Sequence, residues 1–492
     1  MRRSGILLHI SSLPGPGGIG SLGKEAREFA DFLKAAGMSI WQVLPMGPTG
    51  YGESPYQSPS TYAGNPLYIS LRTLREEGIV AYEDNEEYTP EDETQVNFEA
   101  VRANRELLLH RAFVQSEQKL KPEIDAFVAR KAWLKDFALF MAVKQSFNNV
   151  MWSQWPDRAI RMREPEAVTQ YTQKLDEEIR YHIFCQYLFD RQWTAFKAYC
   201  NGLGISLFGD MPIYVAEDSA DTWTHPEVFQ LDKDRVPIRV AGVPPDYFSA
   251  DGQLWGNPLY RWDYLKANHY DWWVDRMTHM AEMYDIVRID HFIGFANYFS
   301  IKHGAPNARD GVWIIGPGYE LFRALEARVP NIHIIAEDLG SVNDRVKRLL
   351  KQVAYPGMKV LCFAFDAEDA LTHRPESYTE NCVAYTGTHD NNTIRGWLDH
   401  AEEEAVERAM KLLKFKKPEE ASEAFLRAVM LSKADTAMAP MQDVLGLGQE
   451  GRMNLPGTIG GNWLWRLTPG AASPEVAERL LALVKESKRL PE

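Results

Sequence analysis

The chain has 492 residues, of which 45% are hydrophobic and 25% are charged, the composition of an ordinary globular protein. Its formal net charge of −14 argues against a nucleic-acid partner, because binding a phosphate backbone requires clustered Lys and Arg. The 14 Trp and 21 Tyr residues suit a ligand with apolar faces and hydroxyl rims, although most of them are expected to fill a large core. An uncharged ligand is compatible with this composition.

Cysteine usage and hydropathy predict the compartment. Cys185, Cys200, Cys362 and Cys382 lie far apart, without the spacing of a zinc cluster or a disulfide framework. We expect reduced thiols in a cytoplasmic protein. The apolar stretch after Arg2 and Arg3 is too short for a secretory signal, and no other stretch is long enough to span a bilayer. The expected protein is soluble, with no membrane partner, and is a monomer or a small homo-oligomer.

The first elements along the chain form a βαβ unit. Strands are predicted over 5–10 and 39–44, with a helix between them, so the sheet should begin parallel. The first loop, Gly15 to Gly20, matches a dinucleotide fingerprint by spacing. Pro14 and Pro16 remove backbone donors from that loop, and the second strand ends without a ribose-binding acid. We therefore expect no nucleotide, and indeed no cofactor.

The rest of the chain predicts an α/β fold, a (β/α)8 TIM barrel with a large, mostly helical insertion after the second strand. Residues 67–201 carry an acidic surface stretch and then helical patterns, and are predicted to form a helical insertion subdomain within a single catalytic barrel over 1–492. Helical patterns separate most of the strands that follow, which favours a closed barrel over an open sheet. The six further strands are predicted at 205–210, 286–290, 332–337, 358–363, 382–386 and 437–441.

Three of these apolar runs lead into a carboxylate, namely Asp290, Glu337 and Asp390. In a parallel barrel the carboxyl ends of the strands form the rim where the chemistry takes place. Arg288 and Asp290 share one face of their strand, so the guanidinium should lie beside the carboxylate and favour its ionised form. An ionised carboxylate near an anomeric carbon can act as a glycosyl nucleophile, although a structural Arg–Asp pair gives the same pattern.

Glu337 is expected to be partly desolvated, which would raise its pKa towards about 6 and let it protonate a leaving oxygen. Asp338 is the competing acid, but Glu337 shares its strand face with Ile335. If the carboxyl groups of Asp290 and Glu337 lie roughly 5 Å apart, the mechanism is retaining. Asp390 would then hydrogen-bond sugar hydroxyls and favour a distorted sugar ring.

Further polar residues are expected around these acids. Asp210 ends the third barrel strand and is predicted to brace Arg288 or the nucleophile, while His291 and His389 can hydrogen-bond sugar hydroxyls. A metal would require a further His or Cys ligand at zinc spacing, which the sequence lacks. We expect no metal.

Several motifs resemble one enzyme family. Arg288 to His291, Ala336 to Asp338 and Thr388 to Asn391 are similar to signatures of the α-amylase clan. More specific stretches are 8–15, 50–57, 242–249, 252–258 and 452–458. They resemble the amylomaltases, the 4-α-glucanotransferases or disproportionating enzymes of glycoside hydrolase family 77. The resemblance runs from residue 5 to about residue 467 and is loosest in the insertion.

The resemblance implies a role for each matching residue. Asp290 would be the nucleophile, Glu337 the acid/base and Asp390 the transition-state stabiliser. The positions that would line the donor sugar are Tyr56, Asp210, Arg288, His291, His389 and Asn454. A mobile loop with Tyr247, Phe248 and Trp255 would cover the acceptor side. Ser54 and Gln253, which lie in two of the family stretches, complete the expected substrate-binding residues.

The expected activity is the retaining transfer of an α-1,4-glucan segment from a maltooligosaccharide or starch-like donor to a sugar 4-hydroxyl. An α-glucan hydrolase on the same barrel is the main alternative, because both share the covalent first step. An inert glucan-binding protein would not need the Asp–Glu pair, and a metal-dependent hydrolase would lose activity in EDTA.

Overall fold

The computed structural model describes residues 2–245, 250–340, 342–365 and 370–491. The strands within these ranges are β1 (Arg3–Leu7), β2 (Ile40–Gln42), β3 (Ser206–Met211), β4 (Arg239–Val243), β5 (Gln253–Pro258), β6 (Ile286–Ile289), β7 (Asn297–Lys302), β8 (Val312–Ile315), β9 (His333–Ala336), β10 (Gly357–Val360), β11 (Cys382–Tyr385) and β12 (Thr436–Pro440). The α-helices are α1 (Lys24–Ala35), α2 (Leu71–Glu76), α3 (Phe98–Arg130), α4 (Leu134–Ser146), α5 (Arg158–Arg161), α6 (Pro165–Lys174), α7 (Asp176–Gly202), α8 (Ala220–Thr224), α9 (Trp262–Ala267), α10 (Asp271–Met283), α11 (Tyr319–Arg328), α12 (Asp344–Val353), α13 (Ile394–Leu398), α14 (Glu403–Leu413), α15 (Ala421–Leu431), α16 (Met441–Leu445) and α17 (Pro474–Glu486).

Eight parallel strands form the central barrel, in the order β10-β11-β12-β1-β2-β3-β6-β9. The ring is nearly closed between β9 and β10, where Ala336 N donates to Pro356 O at 2.9 Å and Met358 N donates to Asp338 Oδ1 at 2.7 Å. All four residues of β6 and of β11 are buried, as expected for strands covered on both faces. The predicted barrel and its eight strands are confirmed.

The predicted helical insertion is also present, because helices α2 to α7 occupy the chain between β2 and β3. Long helices α3 and α7 pack together, and Arg105 of α3 is buried with its Nη1 donating to Ile69 O at 2.8 Å. No helix in the described ranges is long and apolar enough to cross a bilayer.

A second sheet is a feature that the sequence patterns did not predict. Its strands are antiparallel, in the order β5-β4-β7-β8, and they lie in the connections that follow β3 and β6. Two of these strands contain Gly242 and Pro258, residues that weaken a strand pattern, and β8 is exposed throughout. Its strand β5 carries Gln253 and Trp255, two of the predicted substrate-binding residues.

Candidate active site

A cavity of about 1390 Å³ opens at the carboxyl ends of the barrel strands. It is lined by eleven of the predicted site residues: Ser54, Tyr56, Gln253, Trp255, Arg288, Asp290, His291, Glu337, His389, Asp390 and Asn454. Tyr247 and Phe248 lie outside the described residues. Asp210 is the exception among the described ones, because its side chain is fully buried behind the cavity wall.

Asp290 and Glu337 stand side by side on neighbouring strands. The register of β6 and β9 pairs Ile289 with Ala336, so the next residue of each strand is one of the two acids. Glu337 N donates to Ile289 O at 3.1 Å, which extends the ladder to the acids themselves. Adjacent strands lie about 4.8 Å apart, so both carboxylates face the same narrow part of the cavity. The carboxyl separation of roughly 5 Å remains a prediction.

Arg288 connects Asp290 to a buried polar network. Its Nη2 lies 2.8 Å from Asp290 Oδ1, and its Nη1 donates to both carboxylate oxygens of Asp210, at 2.8 and 2.7 Å. Tyr56 Oη donates to Asp210 Oδ2 at 2.8 Å. The predicted pairing of Arg288 with Asp290 and the bracing of Arg288 by Asp210 are both present. Through these contacts Asp210 orients two residues of the cavity wall without reaching the cavity.

Glu337 lies in a setting that opposes its ionisation. Burial, and secondarily the charge of Asp290, raise its pKa to about 8, against the opposing influence of Arg288 and two backbone hydrogen bonds. The direction of this pKa shift agrees with the prediction, and the pKa itself is higher than the expected value of about 6. The two donors are His291 N, at 2.8 Å, and Leu339 N, at 2.7 Å. Glu337 can therefore enter the reaction protonated while its orientation is fixed.

The turn after β6 explains how His291 contacts Glu337. His291 adopts a left-handed backbone conformation (φ 50°), which is uncommon for a residue other than glycine and typical of functional sites. This turn directs its N–H to Glu337, while burial lowers the pKa of its imidazole to about 4. A neutral imidazole in the cavity wall can donate or accept a hydrogen bond from a sugar hydroxyl. The neighbouring acid Asp338 instead supports β10, as described above.

Asp390 completes the set of carboxylates on the other side of the cavity. Asn454 Nδ2 donates to its Oδ1 at 2.7 Å, and His389 Nε2 lies 3.4 Å from the same oxygen. Its side chain is 45% exposed, so one face of the carboxylate remains available to a ligand. The rings of Tyr56 and His389 stack at 5.2 Å, which joins the Asp390 loop to the Arg288 network.

Trp463 is a cavity residue that was not found from the sequence. Trp463 packs against both Tyr56 and His389, at ring distances of 6.0 Å, and is 5% exposed. It lies nine residues beyond Asn454, and only its tertiary contacts reveal its place in the site. The predicted residue Trp255 meets His291 edge-on at 4.9 Å, and its Nε1 donates to Gln253 Oε1 at 3.1 Å, which gives this side of the cavity an aromatic wall.

A metal has no evident place among these groups. Within the part of the chain that the structure describes, no three His, Cys, Asp or Glu side chains are grouped so as to hold a metal ion. The positive charge beside Asp210 and Asp290 is the guanidinium of Arg288.

The fold and this site define a class: a (β/α)8 enzyme acting on glycosidic bonds with a pair of neighbouring carboxylates. Comparison with known proteins is consistent with that class. A family model described as 4-alpha-glucanotransferase matches residues 8–472. The 4-alpha-glucanotransferase of Thermus thermophilus is 46% identical over 99% of both chains, and that of Clostridium butyricum is 42% identical over 97% of this chain and 99% of its own.

Solved structures agree with these relatives. The amylomaltase from Streptococcus agalactiae, determined in complex with acarbose, superimposes with a TM-score of 0.97 at 41% identity, and each chain is covered completely. The amylomaltase from Corynebacterium glutamicum has a TM-score of 0.77 at 19% identity, covering 100% of this chain and 75% of its own, and supports the fold. The chain belongs to the 4-α-glucanotransferase family, glycoside hydrolase family 77. The predicted family and enzyme class are confirmed.

Proposed function

We propose that the enzyme transfers α-1,4-glucan segments by a retaining mechanism in which Asp290 is the nucleophile, Glu337 the acid/base and Asp390 the transition-state stabiliser. The observation that carries the proposal is the pairing of Asp290 and Glu337 at adjacent strand ends, one beside a buried guanidinium and the other with a raised pKa. Two carboxyl groups whose environments favour opposite protonation states form an acid/nucleophile pair.

In the first step an Asp290 oxygen attacks the anomeric carbon of the donor as the glycosidic C–O bond breaks. Glu337 gives its proton to the departing oxygen, which leaves as a sugar 4-hydroxyl, and the glycosyl unit remains as an ester on Asp290. In the second step an acceptor 4-hydroxyl attacks the same carbon, Glu337 takes its proton, and the Asp290 carboxylate departs. Two inversions return the α configuration.

Transfer competes with hydrolysis in the second step, because water can replace the acceptor. An acceptor held in attack geometry has a greatly increased effective concentration, and an enclosed site lowers access for water. Trp255, which packs edge-on against His291, offers an aromatic surface suited to hold an acceptor glucose. The side-chain amide of Gln253 accepts a hydrogen bond from Trp255 and can also hydrogen-bond a sugar hydroxyl. We assign Tyr247 and Phe248 to the same acceptor side from the sequence motif alone.

The remaining contacts suggest how the donor is held. We propose that Arg288, His291, His389 and Asn454 bind donor hydroxyls, with Tyr56 as a stacking surface. Ser54 supports this surface, because its Oγ accepts a hydrogen bond from Tyr56 N at 3.3 Å. Asp210 has a supporting role through Arg288 and Tyr56.

We further propose that the substrates are maltooligosaccharides and related α-1,4-glucans, and that the enzyme is cytoplasmic, acting as a monomer or a small homo-oligomer without nucleic-acid or membrane partners. Four buried cysteines without disulfides are compatible with a reducing compartment. We regard 1–492 as one catalytic barrel and 67–201 as a helical insertion subdomain within it.

Incubation with maltotriose tests the activity. Transfer produces glucose together with a ladder of longer oligosaccharides, whereas hydrolysis produces glucose and maltose alone. Asp290→Asn should abolish both products, because the amide cannot form the ester. A variant that kept full turnover would refute the assignment of Asp290, and activity lost in EDTA would refute a metal-independent mechanism.

A further inference from the structure

Asp443 is a buried carboxylate that the proposed reaction does not use. It lies in the short helix α16 after β12, is 2% exposed, and does not line the catalytic cavity. It forms no ion pair with any residue that the structure describes, and burial raises its pKa to about 6. Burying an unpaired carboxylate is costly, so its hydrogen bonds must have structural or functional value.

Those hydrogen bonds hold both ends of one loop. Thr386 Oγ1 donates to Asp443 Oδ2 at 2.6 Å, and Ile394 N donates to Asp443 Oδ1 at 2.8 Å. Thr386 directly follows β11, and Ile394 is the first residue of α13. The residues between these two contacts, 387–393, form what we term the Asp390 loop. The side chain of Asp443 therefore binds both ends of the loop, in addition to the hydrogen bonds from Cys362 N to Thr386 O at 3.1 Å and from Thr393 Oγ1 to Gly448 O at 3.0 Å.

The Asp390 loop is internally braced, so a shift at its ends would move Asp390 with it. Asn391 Oδ1 accepts hydrogen bonds from Thr388 N at 2.8 Å and from Thr388 Oγ1 at 2.9 Å. Asp390 N donates to Thr388 Oγ1 at 3.3 Å. On the cavity side Asn454 binds the carboxylate of Asp390, but it does not touch the loop ends.

The space beneath the loop shows that it is not held by close packing alone. A cavity of about 20 Å³ lies between the loop and the barrel, lined by Asp443, His9 and Thr388 among others. Packing is therefore incomplete beneath the loop, and the directional hydrogen bonds to Asp443 contribute to its position above the barrel.

We propose that Asp443 is a positioning residue for the transfer reaction: through Thr386 and Ile394 it sets where the Asp390 carboxylate stands relative to Asp290 and Glu337. This inference rests on the proposed role of Asp390. It requires that weakening the Asp443 contacts lowers kcat much more than it raises KM, because a transition-state stabiliser contributes little to ground-state binding.

Four variants separate positioning from folding. Thr386→Val removes one bond to Asp443 at nearly constant volume, whereas Thr386→Ser retains the hydroxyl. Asp443→Ala removes both bonds, and Asp443→Asn retains the oxygen that accepts from Ile394. The measurements are kcat and KM for maltotriose disproportionation, together with the apparent Tm of each variant.

Asp285 provides a matched control at the opposite end of the barrel. Its Oδ2 accepts from Leu207 N and from Asn201 Nδ2, both at 2.8 Å, so it also has one backbone and one side-chain donor. Unlike Asp443 it has an ion-pair partner as well, because Lys197 Nζ lies 3.7 Å from its Oδ1. Asp285→Ala should lower Tm and leave kcat within about twofold of the wild type. It reports how much activity is lost through stability alone.

We expect Thr386→Val to lower kcat roughly tenfold and Asp443→Ala about 100-fold, with KM changed less than about threefold, since displacements near 1 Å have effects of this size. The kcat of Thr386→Ser should remain near that of the wild type, and the kcat of Asp443→Asn should lie between those of Asp443→Ala and the wild type. When Thr386→Val is added to Asp443→Ala, kcat should not fall further. If Asp443→Ala does not fold, the comparison of Thr386→Val with Thr386→Ser decides the question.

Two results would overturn the inference while leaving the proposed function intact, provided that Asp390→Asn is inactive in the same assay. One is wild-type kcat in Thr386→Val and Asp443→Ala. The other is a loss of kcat no larger than that of Asp285→Ala at an equal loss of Tm, which would indicate a purely structural role. Full activity of Asp390→Asn would instead refute the role of Asp390, and the inference would fall with it.

Discussion

Replacing Arg288 by methionine is the perturbation with the most informative consequences. The guanidinium is buried and lies within 2.8 Å of oxygens from both Asp210 and Asp290. Methionine fills most of the volume but leaves two carboxylates close together without a counter-charge. Because like charges disfavour joint ionisation, one of the acids should bind a proton at neutral pH.

The magnitude follows from the contacts. Removing one partner of a buried ion pair costs about 3–5 kcal/mol of folding stability. For a chain of this length that lowers the apparent Tm by only about 3–5 °C, because the entropy of unfolding scales with size. Two unit charges about 4 Å apart attract each other by about 4 kcal/mol at an effective dielectric constant of 20, which is the size of the interaction that Arg288→Met removes from the site. A loss of that size corresponds to roughly a 1000-fold decrease in kcat/KM.

The assay is maltotriose disproportionation measured as a function of pH, alongside thermal unfolding. Arg288→Met should lower kcat/KM and move the acid limb of the pH profile to higher pH. Arg489→Met is the control, because Arg489 is also a buried arginine, donating to carbonyl oxygens such as Ala434 O at 2.7 Å, at the other end of the barrel. It should lose comparable stability and retain kcat. Activity of Arg288→Met within about tenfold of the wild type, or an unshifted acid limb, would refute this account of Asp290.

Three further outcomes follow from the site. The kcat/KM of the wild type should fall as pH rises through about 8, because Glu337 must be protonated to start the reaction and its pKa is raised to about 8; Glu337→Gln should remove this basic limb along with most of the activity. Asn454→Ala removes a hydrogen bond to a charged acceptor, worth about 1.5–3 kcal/mol, and should lower kcat roughly 10- to 100-fold through Asp390 while Tm changes little. Trp255→Ala opens the acceptor side beside His291 and should raise the ratio of hydrolysis to transfer on maltotriose about tenfold, since a poorly held acceptor loses its advantage over water.

Each of these expectations has a contradicting result. A kcat/KM that stays constant from pH 7 to 10 would mean that Glu337 is not the acid. Wild-type kcat in Asn454→Ala would show that Asp390 needs no support from this amide. An unchanged product ratio in Trp255→Ala would move the acceptor site elsewhere.

The barrel could be predicted because its strands carry local signals. Short β-branched runs such as 286–290 and 382–386 are buried on both faces, and the acids that follow them belong to the active rim by the geometry of parallel barrels. The pairing of Arg288 with Asp290 follows from strand alternation alone. These features depend on residues within a few positions of each other.

The parts that could not be predicted depend on contacts between distant residues. Asp443 and Thr386 are separated by 57 positions, so no local pattern reveals that they meet. The burial of Asp210 behind the cavity wall, rather than in it, likewise follows from the way Tyr56 covers it. The antiparallel sheet was missed because β8 is exposed, and because β4 and β5 contain Gly242 and Pro258, residues that weaken a strand pattern.

Trapping the glycosyl-enzyme tests the central claim most directly. In Glu337→Gln, an α-maltosyl fluoride donor can still react, because fluoride leaves without a proton, while the second step lacks its base. Intact-protein and peptide mass spectrometry should therefore show one accumulated glycosyl ester on the peptide that contains Asp290. No ester at that position, or an ester on a different carboxylate, would contradict the assignment.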